Sequence, residues 1–276
     1  MDLCYIEDSF IPLKDARLPL TDFIIQRGIG VFDSITTHDK RPIRLGAHLK
    51  RLERSASEAG LDFLVEYDKM RSIIHKGIDM MKSEVVVRPY VTGGDYFDNK
   101  TRTFTAPRSF IIFQEAHKPA AECYSRGVAL RTTDADRPMP HTKSINYMAS
   151  FINQKKDKDA FETLYAPAGQ ITESSKSSFF LFIGGKLVTA PLSRVLAGTT
   201  RELVISIASE LGISLEERCP LIKELSRAEE AFITGSVKEI LPVVRIGGTT
   251  IGNGKPGPVT RRIHKKYLED ITQWLE

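Results

Sequence analysis

The sequence predicts a mixed α/β (α+β) chain in two lobes. Three observations carry this: β-branched and aromatic runs alternate with stretches of helical periodicity, the pattern stops at a polar stretch near residue 118 and restarts, and glycine-containing steps punctuate the second half as hairpin turns. The opening reads as short strands over 3–6 and 10–12, joined by Glu7-Asp8-Ser9, with another strand over 30–37 that turns through His38-Asp39-Lys40-Arg41-Pro42. Leu45, Leu49, Leu52, Ala56 and Ala59 then recur at helical spacing, and Gly60 follows as a left-handed stop. A second helix is expected over 67–82, followed by buried strands over 84–91 and 109–114. Residues 115–121 are polar and contain Pro119. The expected division is therefore an N-terminal α/β domain at 1–116, a linker at 117–121 and a C-terminal domain at 122–276.

Beyond the linker the reading is a strand over 128–132, a loop to Pro140 and a helix over about 145–157. Strands follow near 162–165, 170–172, 179–183 and 187–189, with Ala168-Gly169 and Gly184-Gly185 as turns. A helix over 200–211 ends at Gly212. A strand over 231–234 leads into a glycine-rich segment and a last helix over 258–275, and no internal repeat or low-complexity segment interrupts the series.

Composition narrows the function classes. A chain of 276 residues, 41% hydrophobic and 27% charged, is long enough for one large core or two ordinary ones. The net charge of +4 is spread among acidic neighbours without a basic block, which argues against a nucleic-acid partner. Cys4, Cys123 and Cys219 are odd in number and far apart, as expected of free thiols in a reducing compartment. The first residues lack a basic region followed by an apolar stretch, so a cytoplasmic location is expected, without a membrane. The histidines show no metal-ligand spacing, so no metal is expected.

Several short strings carry more. They are Arg27-Gly28-Ile29-Gly30-Val31-Phe32-Asp33, His48-Leu49-Lys50-Arg51-Leu52, Lys143-Ser144-Ile145-Asn146, Thr172-Glu173, Leu196-Ala197-Gly198-Thr199-Thr200-Arg201 and Phe232-Ile233-Thr234-Gly235-Ser236. Singly, Lys143 reads as a solvated lysine at a helix start and Glu173 as a turn residue. In this order, across nearly the whole chain, the strings resemble the fold-type IV pyridoxal phosphate enzymes. That class includes D-amino acid aminotransferase, branched-chain aminotransferase and aminodeoxychorismate lyase.

The resemblance implies a smaller N-terminal α/β lobe, a larger C-terminal lobe rich in β-strands, pyridoxal 5'-phosphate as cofactor, and a homodimer. It makes Lys143 the catalytic residue, holding the cofactor aldehyde as a Schiff base and moving the Cα proton. Glu173 pairs with the pyridine nitrogen, Leu196 lies against the ring, and Tyr147 joins the cofactor-binding set. Gly198-Thr199-Thr200, just before a helical pattern, offers backbone N–H groups and two hydroxyls to a phosphate. Ser236, where the family often has threonine, adds a hydroxyl, and Arg51 supplies charge. Without the resemblance, Thr199 and Thr200 read as helix caps and Arg51 as a surface ion-pairing residue.

A substrate carboxylate calls for a planar guanidinium, for which Arg27 and Arg88 are the candidates, with a surface salt bridge as the alternative for each. Lys238 departs from the small or neutral residue expected there; it approaches substrate or cofactor, or else is a solvated lysine. Asparagine at the third position after Lys143, shared by D-amino acid aminotransferases and the lyase, and Val31-Phe32-Asp33-Ser34 in place of a Phe-Glu-Gly ending, favour a D-amino acid transaminase of the D-alanine or D-glutamate type using a 2-oxo acid, with aminodeoxychorismate lyase as an alternative. Arg88-Pro89 and Gly257-Pro258-Val259-Thr260 look more like the branched-chain L-amino acid group, and Ser178 stands where the family usually has asparagine. A nucleotide-binding reading of Gly252-Asn253-Gly254-Lys255 or Gly184-Gly185-Lys186 fails on phosphate-loop spacing.

Overall fold

A computed structural model describes residues 1–276 and divides them into two compact units. One comprises Met1–His117, Thr142–Asn146 and Ile271–Glu276; the other comprises Lys118–His141 and Tyr147–Asp270. The linear pattern gives no sign that 142–146 and 271–276 belong with the first unit.

In chain order the first unit contains β1 (Leu3–Ile6), β2 (Ser9–Pro12), α1 (Phe23–Arg27), β3 (Gly30–Phe32), β4 (Ile35–His38), β5 (Arg41–Pro42), α2 (Leu45–Glu58), α3 (Tyr67–Met80), β6 (Val85–Thr92), β7 (Phe97–Asp98), β8 (Thr103–Phe104) and β9 (Arg108–Glu115). Its main sheet is antiparallel, in the order β2-β1-β9-β6-β4-β5, with β3 also paired to β6. The expected single strand over 30–37 is two, β3 and β4, yet both keep one register on β6: Val31 faces Val91 and Ile35 faces Val87. Side chains alternate faces along a strand, so Val31, Asp33 and Ile35 share one face and Phe32 points the other way. On the first face α2 and α3 bury Leu45, Leu49, Ile74 and Ile78 against Ile35, Val85, Val87, Ile111 and Phe113. Val31, Leu52, Ala56 and Val91 form a neighbouring cluster. Helix α1, too short to show periodicity, is bounded by Asp22, which accepts from the Ile24 amide at 2.9 Å, and by Gly28 at φ 68°.

The second unit contains α4 (Ala121–Arg126), β10 (Val128–Thr133), α5 (Met148–Gln154), β11 (Glu162–Tyr165), β12 (Ser178–Ile183), β13 (Lys186–Thr189), α6 (Thr199–Glu210), β14 (Ser214–Glu217), β15 (Glu230–Gly235), β16 (Glu239–Ile246), β17 (Thr249–Thr250) and α7 (Pro258–Asp270). Its mixed sheet runs β11-β10-β16-β15-β12-β13-β14, with β17 on β16. Leu130, Leu164, Phe179, Leu181, Ile233 and Leu241 belong to one core cluster. Alternation sends Phe180 and Phe232 to the opposite face, where they stack at 4.9 Å. Helices α6 and α7 pack on each other and on β15. Buried Glu230 fixes the start of α7, accepting from the Val259 amide at 2.9 Å and from the amide and hydroxyl of Thr260, both at 2.7 Å.

Some expectations need correction. No strand forms over 170–172; Gln170 makes only an isolated bridge to Leu221. The helix expected from 145 begins at Met148, because Ser144 bridges to Val31 and the Ile145 amide donates to the Gly30 carbonyl at 3.1 Å. Strand β16 lies within what the sequence presents as the segment following 231–234. Its Pro242 is tolerated because pairing to β10 begins only at Val243. The last helix ends at Asp270, followed by a 3-10 turn over Ile271–Trp274.

Gly77 on α3 faces the Phe113 ring, and a Cβ there would fall 2.3 Å from two ring carbons. Alanine gains ~1 kcal/mol in helix propensity, but overpacking costs roughly 1–3 kcal/mol. Gly77→Ala should therefore lower the urea midpoint, and an unchanged or raised midpoint would show that the ring moves aside freely.

Candidate active site

In the first unit the backbone of Lys143 is held on both sides. Its amide donates to the Ser55 hydroxyl at 3.1 Å, its carbonyl accepts from the Phe32 amide at 3.0 Å, and Ser144 bridges to Val31. The neighbouring Thr142 hydroxyl donates to Glu58 at 2.9 Å. These contacts make 142–146 an extra extended segment on β3. The Lys143 Nζ lies 4.9 Å from the centre of the Phe32 ring. Phe32 stacks on Tyr90 at 5.4 Å, and Tyr90 on Phe110 at 4.9 Å, so an aromatic row runs across three strands on the face away from α2.

Arg88 stands two residues before Tyr90 and so projects on the same face, with NH1 donating to Gln114 Oε1 at 2.7 Å. Burial pushes the Tyr90 hydroxyl pKa up, partly offset by the Arg88 charge. Arg27 is exposed at the end of α1, and its NH1 donates to the adjacent Gln26 carbonyl.

Arg51 is buried on α2 and is gripped by Asp33, with Nε donating to Oδ2 at 2.8 Å and NH2 to Oδ1 at 2.7 Å. His48, one turn earlier, places Nδ1 2.7 Å from Asp33 Oδ1. Burial alone drives the Asp33 carboxyl pKa up, but the charges and hydrogen bonds of Arg51 and His48 outweigh it and hold the group well below the usual carboxylate range. An ionised carboxylate only accepts, so His48 Nδ1 carries the proton toward Asp33. Burial lowers the His48 pKa, and the cationic Arg51 and Lys143 add to that, against the opposing pull of Asp33.

In the second unit Glu173 is buried and paired with Arg137, whose NH1 donates to Oε1 at 2.7 Å. Burial disfavours the Arg137 cation, but Glu173 outweighs this and its pKa is raised; Tyr147 and Tyr165 act in the same direction. The Leu196 amide lies 3.4 Å from each Glu173 oxygen, which brings Leu196 beside this acid. Tyr147 is the residue before α5.

Helix α6 starts at Thr199 with Gly198 as its N-cap residue. A Cβ on Gly198 would fall 2.7 Å from the Ser178 hydroxyl. Ser178 is the cross-strand partner of Thr234, whose buried hydroxyl has no hydrogen-bond partner. Ser236 sits in the turn joining β15 to β16. Lys238, in the same turn, is not solvated: its ammonium pairs with buried Glu162 and donates to the Ser177 hydroxyl at 2.7 Å.

Asp33, His48 and Arg137 escaped the sequence reading as functional residues. Alternation at 31–35 could have exposed Asp33, a charged residue on the core face between Val31 and Ile35. Arg137 lies in the loop 134–141 and has no periodic signal.

Because the His48 pKa falls on folding, the unfolded chain takes up the proton first as pH drops. The stability contribution is complete above the unfolded value of about 6.5 and declines below it. Asp33, also depressed, acts in the same direction at lower pH. His48→Asn, which keeps a donor toward Asp33, should flatten the fall in urea stability between pH 7 and pH 5. Parallel wild-type and variant profiles would contradict this.

Residues 30–246 match the model of amino-transferase class IV. A D-alanine aminotransferase of Bacillus licheniformis is 30% identical over 94% of this chain and 93% of its own length. A Methanocaldococcus jannaschii protein carrying a provisional branched-chain-amino-acid aminotransferase name is 29% identical over 98% of this chain and 96% of its own. Among solved structures, the Escherichia coli branched-chain amino acid aminotransferase superposes with a TM-score of 0.85 at 25% identity, covering 100% of this chain and 96% of that one. Another branched-chain amino acid aminotransferase, solved with pyridoxamine 5'-phosphate, superposes with a TM-score of 0.91 at 24% identity, covering 99% of this chain and 97% of that one. The mixed α/β fold is that of the fold-type IV aminotransferases, and the chain belongs to the class IV amino-transferase family.

Proposed function

We propose that this protein is a pyridoxal 5'-phosphate-dependent transaminase that moves the amino group of a D-amino acid, of the D-alanine or D-glutamate type, to a 2-oxo acid. The observation that carries the reading is the setting of Lys143, its amine over the Phe32 ring on an aromatic face bordered by Arg88.

The residues fit the cofactor. The absence of a Cβ at Gly198 keeps the backbone clear of the Ser178 hydroxyl, the buried Thr234 hydroxyl lacks a partner, and the N-terminus of α6 suits an anion such as a phosphate. By the resemblance, Thr199, Thr200, Ser236 and Arg51 would hold the phosphate, and Leu196, Tyr147 and Glu173 would serve the ring. When bound, the cofactor supplies an electron sink for the electrons released at the amino acid's α-carbon. Lys143 would hold the cofactor's aldehyde, and its amine would carry the proton that leaves the amino acid's α-carbon. Glu173, fixed by Arg137, would meet the ring nitrogen. Arg88, presented by β6, offers a guanidinium to a substrate carboxylate, with Arg27 as a second candidate.

Support for D-amino acids comes from Lys143-Ser144-Ile145-Asn146 and from the D-alanine aminotransferase relative at 30% identity. A branched-chain L-amino acid reading is favoured by Arg88-Pro89 and Gly257-Pro258-Val259-Thr260, and a lyase acting on aminodeoxychorismate shares the cofactor chemistry. The same resemblance implies a homodimer, which light scattering should report as twice 30.9 kDa.

The deciding experiment pairs D-alanine, D-glutamate and L-leucine as donors with pyruvate and 2-oxoglutarate as acceptors. D-donor turnover is expected. Turnover of L-leucine alone supports the branched-chain reading, and 4-aminobenzoate formed from aminodeoxychorismate without an acceptor supports the lyase. Lys143→Ala should lose at least ~10²–10⁴-fold in rate together with the yellow colour of the protein. A colourless wild-type protein after incubation with pyridoxal phosphate would defeat the cofactor assignment.

A further inference from the structure

Lys238 departs from the residue type expected in the turn after Gly235-Ser236, and its surroundings within the second unit are built for it. The side chain is 13% exposed, and its ammonium meets a carboxylate, Glu162, that is itself buried. The aliphatic stem places Nζ 5.7 Å from the Phe161 ring centre. Glu162 is saturated by further donors: the Ser174 hydroxyl, the Ser177 hydroxyl at 3.0 Å and the Lys176 amide at 3.2 Å. Burial pushes the Glu162 carboxyl pKa up, but Lys238 and the serine hydroxyls outweigh that and hold it below its usual value.

The donors to Glu162 lie on the segment that starts at Glu173. The Ser174 amide donates to the Ser177 carbonyl at 2.8 Å, so 174–177 is a closed turn whose two hydroxyls converge on one carboxylate. At the other end of the lysine lies the turn carrying Ser236. The Lys238 carbonyl accepts from the Tyr124 hydroxyl at 3.2 Å. The next residue, Glu239, has φ 55° and is held by Lys118 at 2.6 Å and His264 at 2.9 Å. A left-handed glutamate persists only where its surroundings fix it.

We infer that Lys238 is a positioning residue: through Glu162, its ammonium locks the turn bearing Ser236 to the segment bearing Glu173. This rests on the pyridoxal phosphate reading, in which Ser236 serves the phosphate and Glu173 the ring nitrogen. The ion pair sets the spacing between two groups that must engage opposite ends of one rigid cofactor, and the lysine acts without touching substrate.

Removing the lysine alone leaves an unpaired buried carboxylate, which destabilises the fold for reasons unrelated to the cofactor. The test therefore compares wild type with Lys238→Met and with Lys238→Met/Glu162→Gln, which removes both charges. Three quantities are read: apo-protein melting temperature, the dissociation constant for pyridoxal phosphate by equilibrium dialysis, and donor KM at saturating cofactor. The double variant is expected to recover most of the melting temperature lost by Lys238→Met. Its cofactor dissociation constant should stay roughly tenfold above wild type, about one decade of affinity, with donor KM unchanged. Wild-type cofactor affinity in the double variant would overturn the inference and leave the pair a purely stabilising contact. Raised KM with unchanged cofactor affinity would overturn it in favour of a substrate contact. Failure of the wild type to bind pyridoxal phosphate would instead sink the cofactor reading itself.

Discussion

A carboxylate taken out of water must find a cation or a cluster of donors, and this requirement organises both units. The effective penalty for burying an ion is several kcal/mol, and removing one partner of a buried pair costs roughly 3–5 kcal/mol. Asp33 meets it with Arg51 and His48, Glu173 with Arg137, Glu162 with Lys238 and the serine hydroxyls, and Glu239 with Lys118 and His264. Glu230 meets it differently, with backbone amides at the start of α7. Each of these acids therefore fixes the position of a second element. The ion pairs are weak grounds for high stability, since well-packed apolar replacements often serve as well, but they strongly restrict which single substitutions the fold accepts.

Period-two alternation sets up the first of these networks. Between Val31 and Ile35, which face α2 and α3, Asp33 has no choice but to face them too, and His48 and Arg51 on α2 supply its partners. The same alternation turns Phe32 outward to begin the row with Tyr90 and Phe110. One strand thus serves a polar network on one face and an aromatic surface on the other. A one-residue slip of β3 against β6 would exchange the two, burying Phe32 under the helices and stranding the Asp33 charge, so register here is strongly specified.

Much of this was legible before any coordinates. The helix expected over 45–59 is found at Leu45–Glu58, the strand over 84–91 at Val85–Thr92, and the Gly184-Gly185 turn joins β12 to β13 with both glycines at positive φ. These segments succeed because local pattern and tertiary burial agree. Where they conflict, the reading fails. Ile145 continues a helical pattern, yet its amide is claimed by Gly30 and the helix starts three residues later. Gln170-Ile171-Thr172 has strand composition, but its neighbours offer isolated bridges and not a ladder. At the site, Glu173 and Arg51 were legible as residue types and their counter-ions were not. Partners separated by 36 residues in one case and 18 in the other leave no mark in a linear pattern.

The segment that carries Lys143 is anchored through its backbone and its neighbours. The segment's anchors are the Lys143 amide and carbonyl, the Ile145 amide, the Ser144 bridge and the Thr142 hydroxyl. None of these involves the ammonium. Any residue compatible with extended backbone satisfies these backbone bonds. Arg51 is the opposite case, because its guanidinium is a structural counter-ion of Asp33 whatever else it binds. Loss of function on replacing Arg51 must therefore first be separated from loss of the fold.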